Sequence, residues 1–221
     1  MKLAYPELTA VFETGKGYIP TLVIENRCLM RKILCDIAGQ LNGNQGLTVV
    51  SDGDEPLEIS RYVELLQNFA PFSVNQRPLI TKIISLIEEK AQEPENFMRT
   101  QALVQRVEAW ILDMGQELPC EIECTKMSVG SILKAAGIEI VSDQQFPLEQ
   151  LVEYMVLVRD LEREKLFVLV NIRSYYDDQE ITVLLRTLLD HALHVMLLDS
   201  YAGNVLVGEK RWTVDEDLCE F

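Results

Sequence analysis

The sequence predicts an α/β protein in which a mostly parallel sheet is assembled from both ends of the chain around an inserted helical segment. Two short apolar runs, 166–170 and 195–198, have the length of strands that helices bury on both faces. Apolar residues at helical spacing dominate the middle of the chain, whereas short strand-like runs separated by turns make up its beginning. We therefore assign residues 1–61 and 146–221 to an α/β head domain and residues 62–145 to an α-helical leg insertion.

The N-terminal part alternates short strands with turns that contain Pro, Gly and Asn. The strands are predicted at 2–5, 10–13, 21–24 and 47–50. Asn26 is a favourable N-cap, and the apolar spacing after it predicts a helix that ends near Leu41. Residues 51–56 are predicted to form a loop.

Helices fill the middle of the chain, and strands return towards its end. The helices are predicted at 61–69, 78–92, 94–115, 128–136, 147–163 and 178–189. The later strands are predicted at 138–141, 166–170, 195–198 and 210–214. The last of these alternates polar and apolar residues, which is typical of an edge strand.

The composition is that of a globular protein with an acidic surface. The formal net charge is −15, and residues 146–221 carry 7 basic against 15 acidic side chains. This charge argues against nucleic-acid binding, although an acidic exterior also confines a polyanion to the remaining basic surface. The five cysteines match no zinc or redox spacing, and the first residues do not resemble a signal peptide. We therefore expect reduced, mostly buried thiols in a cytoplasmic protein that does not span a membrane.

Two motifs invite a catalytic interpretation that the surrounding sequence does not favour. Gly15-Lys16-Gly17 lacks the first glycine and the Ser or Thr of a phosphate-binding loop, and a strand follows it, so a hairpin turn is favoured. His191 and His194 stand beside Asp190 near a predicted helix end, where structural or surface roles are favoured over a metal site. No recognisable nucleophile elbow is present, so we predict no enzyme activity.

Two sets of acidic residues are candidates for binding a hard cation. Carboxylates and carbonyls on non-helical backbone are the ligands that calcium prefers, although no EF-hand spacing is present. The first set lies in an irregular segment and consists of Glu117, Glu121 and Glu123. The second set follows Asp143 and consists of Glu149 and Glu153. From the pattern alone, a solvated acidic surface is the favoured alternative.

Basic residues are scarce, so the candidates for phosphate contacts are few. Arg27, Arg31 and Lys32 share one side of the first predicted long helix. Lys126 and Lys134 flank the short helix that follows the first glutamate set. Taken singly, each is more often an ordinary solvated charge than a phosphate contact.

The order of these segments resembles one known family. The stretches that carry the resemblance are Thr21–Asn26 before a helix, Glu121–Val141 from an acidic loop to Ile-Glu-Ile-Val, and Glu162–Asn171 entering an apolar strand. Together they resemble the small accessory protein of type II-A CRISPR loci, the Csn-two family, which acts in spacer acquisition. The similarity covers most of the chain. One difference is Asn26, where the family more often has a second acid.

The resemblance implies a head that looks like a P-loop NTPase fold without its nucleotide machinery, together with a helical leg. It further implies a homotetrameric ring whose positively lined hole takes the ends of double-stranded DNA, without sequence preference and without catalysis. Calcium bound by carboxylates near the leg would stabilise the ring, and other CRISPR adaptation and effector proteins would be partners. Two alternatives stay open, which are a nucleotide-hydrolysing enzyme that depends on Lys16 and a protein scaffold that docks through its acidic surface.

Overall fold

The computed structural model describes residues 1–142 and 146–221 and confirms the predicted α/β fold class. Its strands are β1 (Lys2–Ala4), β2 (Val11–Glu13), β3 (Ile19–Ile24), β4 (Val49–Asp52), β5 (Glu55–Leu57), β6 (Val63–Leu66), β7 (Leu166–Val170), β8 (His194–Asp199) and β9 (Glu209–Val214). Its α-helices are α1 (Arg27–Leu41), α2 (Ile59–Tyr62), α3 (Arg77–Gln92), α4 (Pro94–Gly115), α5 (Val129–Ala135), α6 (Pro147–Leu161) and α7 (Asp178–Asp190).

The chain divides into two units. The first, here called the sheet unit, comprises Met1–Val74 together with the described part of Asp143–Phe221. The second, here called the helical insertion, comprises Asn75–Ser142. The insertion therefore separates two chain segments that fold together, as expected when a sheet draws strands from both ends of a sequence.

A five-stranded parallel sheet in the order β6-β7-β8-β3-β9 forms the centre of the sheet unit. On β3, Thr21 pairs with Leu197 of β8 on one side and with Arg211 of β9 on the other, which joins the two chain segments. All five residues of β7 and all six of β3 are buried, because elements cover both faces. As predicted, the alternating strand β9 lies at an edge.

A smaller antiparallel sheet in the order β2-β1-β4-β5 packs onto the same core. Leu3 of β1 pairs with Phe12 of β2 and with Val50 of β4, and all three side chains are buried. The period of two along each strand places these residues on the inner face. They join one apolar cluster with the buried face of α1 and one face of the large sheet.

Capping side chains fix where the helices beside the sheet begin. Asn26 Oδ1 accepts hydrogen bonds from the backbone N–H of Cys28 at 3.1 Å and of Leu29 at 3.0 Å, as the sequence predicts. Asp177 and Glu180 form a reciprocal capping box at the start of α7. Each cap supplies partners for N–H groups that have none within the helix.

The predicted helix at 61–69 is wrong. Only the four-residue α2 forms there, and β6 follows it as a strand parallel to β7, with Val63 beside Leu166 and Leu66 beside Leu169. A short apolar run does not distinguish a strand from a helix by itself, and the backbone hydrogen bonds to β7 decide the outcome. Residues 62–74 consequently lie with the sheet unit, although the sequence analysis assigned them to the insertion.

The predicted strand at 138–141 is also absent from the described residues. Ile140 donates its backbone N–H to Asn75 Oδ1 at 2.7 Å, and Asn75 Nδ2 donates to Ile140 O at 3.2 Å. A side-chain amide therefore takes the place of a neighbouring strand. Residues 51–56, predicted to be a loop, instead form the hairpin of β4 and β5 around Gly53, whose φ of 57° is left-handed.

The helical insertion consists of α3, α4 and α5. Glu93 is both the C-cap of α3 and the N-cap of α4, and Pro94 begins α4, so a single residue joins the two helices. Gly130 of α5 packs directly against the Glu88 carboxylate of α3, where a Cβ atom would clash. Among the described residues of this unit, Leu79 is the one large apolar side chain that is buried.

Candidate nucleic-acid interface

The outer face of α1 presents the first group of predicted DNA contacts. Arg27, Arg31 and Lys32 are all exposed, while Leu29 and Ile33 on the opposite face are buried. The spacing of four residues between Arg27 and Arg31 places both guanidinium groups on one side of the helix. Sequence and structure therefore agree that this face is basic and accessible.

Lys32 differs from the two arginines because it already has an acidic partner. Its Nζ atom contacts Glu7 Oε1, and this hydrogen bond raises the pKa of Lys32 above its usual value. Within residues 1–142 and 146–221, no ion pair involves Arg27 or Arg31. The arginines are therefore the stronger candidates for contact with a phosphate group.

The second group of predicted DNA contacts lies in the helical insertion. Lys126 precedes α5, and Lys134 lies in its last turn, where a positive charge complements the helix dipole. Both side chains are exposed. The Lys126 carbonyl accepts a hydrogen bond from Ser131 at 3.2 Å, which ties the loop to the helix.

The predicted calcium ligands are not brought together within one chain in the described residues. Glu117, Glu121 and Glu123 are exposed in the segment after α4, and Glu149 and Glu153 lie on α6 in the sheet unit. Across the described residues, no group of three or more His, Cys, Asp or Glu side chains is placed to hold a metal ion. Asp143 lies outside the described residues, and calcium binding stays a prediction.

The connection that would carry a phosphate-binding loop is very short. Only Glu25 and Asn26 separate the end of β3 from the start of α1. The N–H groups at this helix terminus bond to Asn26, which also donates from Nδ2 to Glu216 O at 2.8 Å. Lys16 lies elsewhere, in the turn between β2 and β3, and its Nζ is 3.6 Å from Glu13. Gly15 and Gly17 both have positive φ, so the chain bends sharply at Gly15-Lys16-Gly17. The predicted hairpin is wrong, however, because β2 and β3 belong to different sheets and do not pair.

The two histidines occupy positions that suit structural roles. His191 is the C-cap of α7, and its carbonyl accepts a hydrogen bond from Arg159 at 2.7 Å. His194 begins β8, with Nδ1 2.7 Å from Thr14 Oγ1 and Nε2 3.6 Å from Glu164. Burial lowers the pKa of His194, so the neutral ring is favoured.

The cysteines are free thiols, but the expectation that they are mostly buried is wrong. Cys28, Cys35, Cys120 and Cys219 are exposed, and Cys124 is intermediate. On α1 the reason is helical periodicity, because Cys28 and Cys35 fall on the basic outer face. The larger apolar residues determine which face of the helix is buried, and cysteines on the other face remain exposed although cysteine is often buried.

A buried ionic cluster escaped the sequence analysis. Arg173 Nε is 3.2 Å from Asp199 Oδ2, its Nη2 contacts Glu209, and Arg211 Nη2 is 2.7 Å from Glu209 Oε1. Arg173 and Arg211 also donate to the carbonyls of 203–204, which anchors the loop between β8 and β9. Burial raises the pKa of Asp199 to about 6. The sequence feature that could have indicated this cluster is Asp199, a charged residue at the end of the apolar strand β8.

These features define a parallel α/β protein with a helical insertion, an exposed basic helix and a β3–α1 connection too short for a phosphate-binding loop. None of the helices in the described residues combines the length and apolar character needed to span a bilayer. The model of the CRISPR-associated protein (Cas_Csn2) family matches residues 40–218. Because this match spans most of the chain, the chain belongs to that family, and the predicted resemblance to the type II-A CRISPR protein is confirmed.

The fold is also similar to a solved structure. The crystal structure of Stu0660 of Streptococcus thermophilus aligns with a TM-score of 0.53 and 13% sequence identity, over 91% of this chain and 69% of that chain. At this identity the likeness shows the fold alone. No curated protein sequence matches the chain.

Proposed function

We propose that this CRISPR-associated protein binds the ends of double-stranded DNA without catalysis, as a homotetrameric ring that acts in spacer acquisition. The family supplies the CRISPR association. The observation that carries the proposal is the outer face of α1, where Arg27 and Arg31 are exposed and have no acidic partner among the described residues. On a chain of net charge −15, such a face is unusual and suits a polyanion.

The scarcity of basic residues favours a multimer. One chain offers few cationic groups, and affinity for DNA rises with the number of phosphates that are neutralised. Four copies around a central opening would place four basic α1 faces, each with Arg27 and Arg31, around one duplex. Contacts to phosphates carry no base information, so binding would be independent of sequence and sensitive to salt.

The outer side of α4 supports self-association. Leu103, Trp110 and Met114 are 48%, 63% and 56% exposed, although they are large and apolar. With Val107 they follow spacings of four, three and four residues, which is the spacing of an apolar seam between paired helices. A contiguous exposed apolar stripe of this kind marks an interaction surface.

We expect calcium to promote assembly by binding between copies of the chain. No three candidate ligands come together in the described part of one chain. Calcium takes six to eight oxygens from carboxylates, carbonyls and water, and another copy would add some of them to Glu117, Glu121 and Glu123. We expect calcium to increase the tetramer fraction measured by light scattering. The pair Glu121→Gln and Glu123→Gln should remove this response, whereas Glu95→Gln on the same unit should keep it. An unchanged mass with calcium and with a chelator would contradict this part.

Two observations support the proposal that the protein is not a nucleotide-hydrolysing enzyme. The connection between β3 and α1 has two residues, and Lys16 lies before β3 and not in that connection. We expect no ATP turnover above background, with or without DNA. If ATP turnover is found and Lys16→Ala abolishes it, the protein is a nucleotide-hydrolysing enzyme and the non-catalytic proposal fails. We also expect the protein in the cytoplasm, where CRISPR loci are transcribed and their targets enter.

The DNA proposal is tested with gel shifts of linear and closed-circular duplex across a salt series. Linear DNA should bind with an affinity that falls steeply as salt rises, and the circle should bind weakly because a ring threads only over ends. Arg27→Gln with Arg31→Gln should weaken binding by about tenfold or more and flatten the salt dependence. Arg186→Gln, an exposed arginine on α7, is the matched control. Equal binding of both DNA forms, or binding unchanged in the double variant, would overturn the proposal.

A further inference from the structure

A groove of about 760 Å³ lies along the outer side of α6 and α7 in the sheet unit. Val152 and Leu184 form part of its floor and are nearly buried, whereas Val183 on its wall is 66% exposed. Val156 adds to the apolar lining from α6. An apolar surface that remains exposed in this way marks a place where another molecule binds.

The rim of the groove is acidic on both sides. Glu149 and Glu153 line it from α6, one helical turn apart, and Glu180 lines it from α7. Glu180 is held in place because its carboxylate accepts a hydrogen bond from the Asp177 backbone N–H at 2.9 Å. The groove therefore combines an apolar floor with fixed negative charge on both walls, which complements an apolar segment flanked by positive charge.

The shape of the groove suits a helix. Its walls are α6 and α7, and α7 carries the chain back between the parallel strands β7 and β8. α7 has 13 residues and is about 20 Å long, so a third helix laid along it would contact it over at most three to four turns. Every residue that lines the groove lies on or next to α6 or α7, which suits a helix laid along two helices.

We propose that this groove binds an amphipathic helix of another protein, one with apolar residues at i, i+3, i+4 and i+7 and with Lys or Arg on both flanks. A second copy of this chain fits less well, because a symmetric contact would bring Glu149 and Glu153 against their counterparts. The inference is independent of DNA binding, since α6 and α7 carry none of the residues assigned to the DNA contacts.

Two labelled model peptides provide the probes. One is an amphipathic helix of Leu and Lys, and the other has the same pattern with Glu in place of Lys. Fluorescence anisotropy against the full chain should show binding of the Leu/Lys peptide and little binding of the Leu/Glu peptide. Equal binding of both peptides, or binding of neither, would overturn the proposal.

Val183→Asp separates groove binding from general attraction to an acidic protein. The change adds negative charge, so general attraction predicts equal or tighter binding of the Leu/Lys peptide, whereas the groove predicts binding about tenfold weaker. Val207→Asp is the matched control, because Val207 is 84% exposed and lies outside the groove. Unchanged binding in Val183→Asp would overturn the proposal, and so would a loss of oligomer mass, which would assign the groove to a contact between copies.

Charge reversal on the rim is the second test. Glu149→Lys should weaken the Leu/Lys peptide and improve the Leu/Glu peptide. Glu95→Lys is its control, because both glutamates lie in the first turn of a helix that begins with proline, so both changes disturb the helix dipole alike. If the two variants behave identically, the rim of the groove has no role and the proposal fails.

Discussion

The sheet unit and the helical insertion differ in how completely they bury their apolar residues. In the sheet unit, strands such as β7 are fully buried, and residues such as Phe167 and Leu197 are 0% exposed. In the insertion, Leu79 alone is buried among the described apolar residues, while Trp110 and Met98 are 63% and 75% exposed. The sheet unit therefore has a large buried core beside its exposed apolar groups, whereas most large apolar side chains of the insertion are at least partly exposed.

The difference indicates a division of roles. A unit whose apolar groups are buried gains most of its stability from its own core. A long helix with an exposed apolar stripe gains stability from the contact that covers it, so its order and its assembly are linked. The proposed ring would then rest on a stable sheet unit and on an insertion that is completed by other copies.

The largest expected effect is a cavity in the sheet unit. Phe167→Ala removes a side chain of β7 that is 0% exposed, and this should lower the free energy of unfolding by about 3–5 kcal/mol. Phe97→Ala, at 46% exposure in the insertion, should cost much less in dilute protein. Urea unfolding measures both. Equal losses would break the contrast between the two units.

The next effect concerns the buried cluster and pH. The pKa of Asp199 is raised to about 6 in the folded protein from 3.8, so the folded state binds this proton more tightly than the unfolded state does. The stability from this group is fully present below about pH 4 and is lost as pH rises through 6, on the order of 2–3 kcal/mol. Asp199→Asn should flatten the unfolding free energy between pH 4 and 7, and Asp54→Asn should not. If the unchanged protein, Asp199→Asn and Asp54→Asn all show the same dependence of unfolding free energy on pH, Asp199 is not the group responsible.

A smaller effect compares one helix cap in each unit. Asn26→Ala removes two hydrogen bonds to α1 and the bond to Glu216, which should cost about 1–2 kcal/mol of unfolding free energy. Ser128→Ala removes the cap of the seven-residue α5 and should cost about 0.5 kcal/mol. Thermal and urea unfolding provide the comparison. If Ser128→Ala proves the more damaging, the insertion is less dependent on partners than its exposed surface indicates.

The smallest effect on stability should accompany a large effect on assembly. Trp110→Asp changes an exposed side chain, so the melting temperature of dilute protein should be almost unchanged. Its oligomer mass by light scattering should fall, because the change places a charge in the apolar stripe of α4. Val205→Asp, 69% exposed in the sheet unit, controls for added charge. Full retention of mass in Trp110→Asp would remove the stripe from the assembly.

Local signals in the sequence were sufficient where one pattern decides the outcome. The run Leu166–Val170 predicts a buried strand because five consecutive apolar residues have no polar face to expose. Asn26 predicts the start of α1 because its side chain reaches N–H groups two and three residues away. The exposed positions of Arg27 and Arg31 follow from the apolar face that the same helix must bury.

Local signals failed where a distant residue supplies the partner. Residues 63–66 form a strand because β7, about a hundred residues away in sequence, offers its backbone groups. Residues 138–141 form none, because Asn75 bonds to Ile140 instead. The ionic cluster joins residues from three separate segments, namely Arg173, Asp199 and Glu209 with Arg211.

The amino-acid sequence by itself determined the fold class, the family and the basic face of α1, since each depends on spacing along a single element or on the order of elements. The tertiary structure alone decided which strands become neighbours, where the insertion begins and which carboxylates are buried beside arginine. It alone placed α6 beside α7 and so created the acidic groove. The physical reason is that hydrogen bonding, desolvation and packing act between groups that are close in space, whatever their separation in sequence.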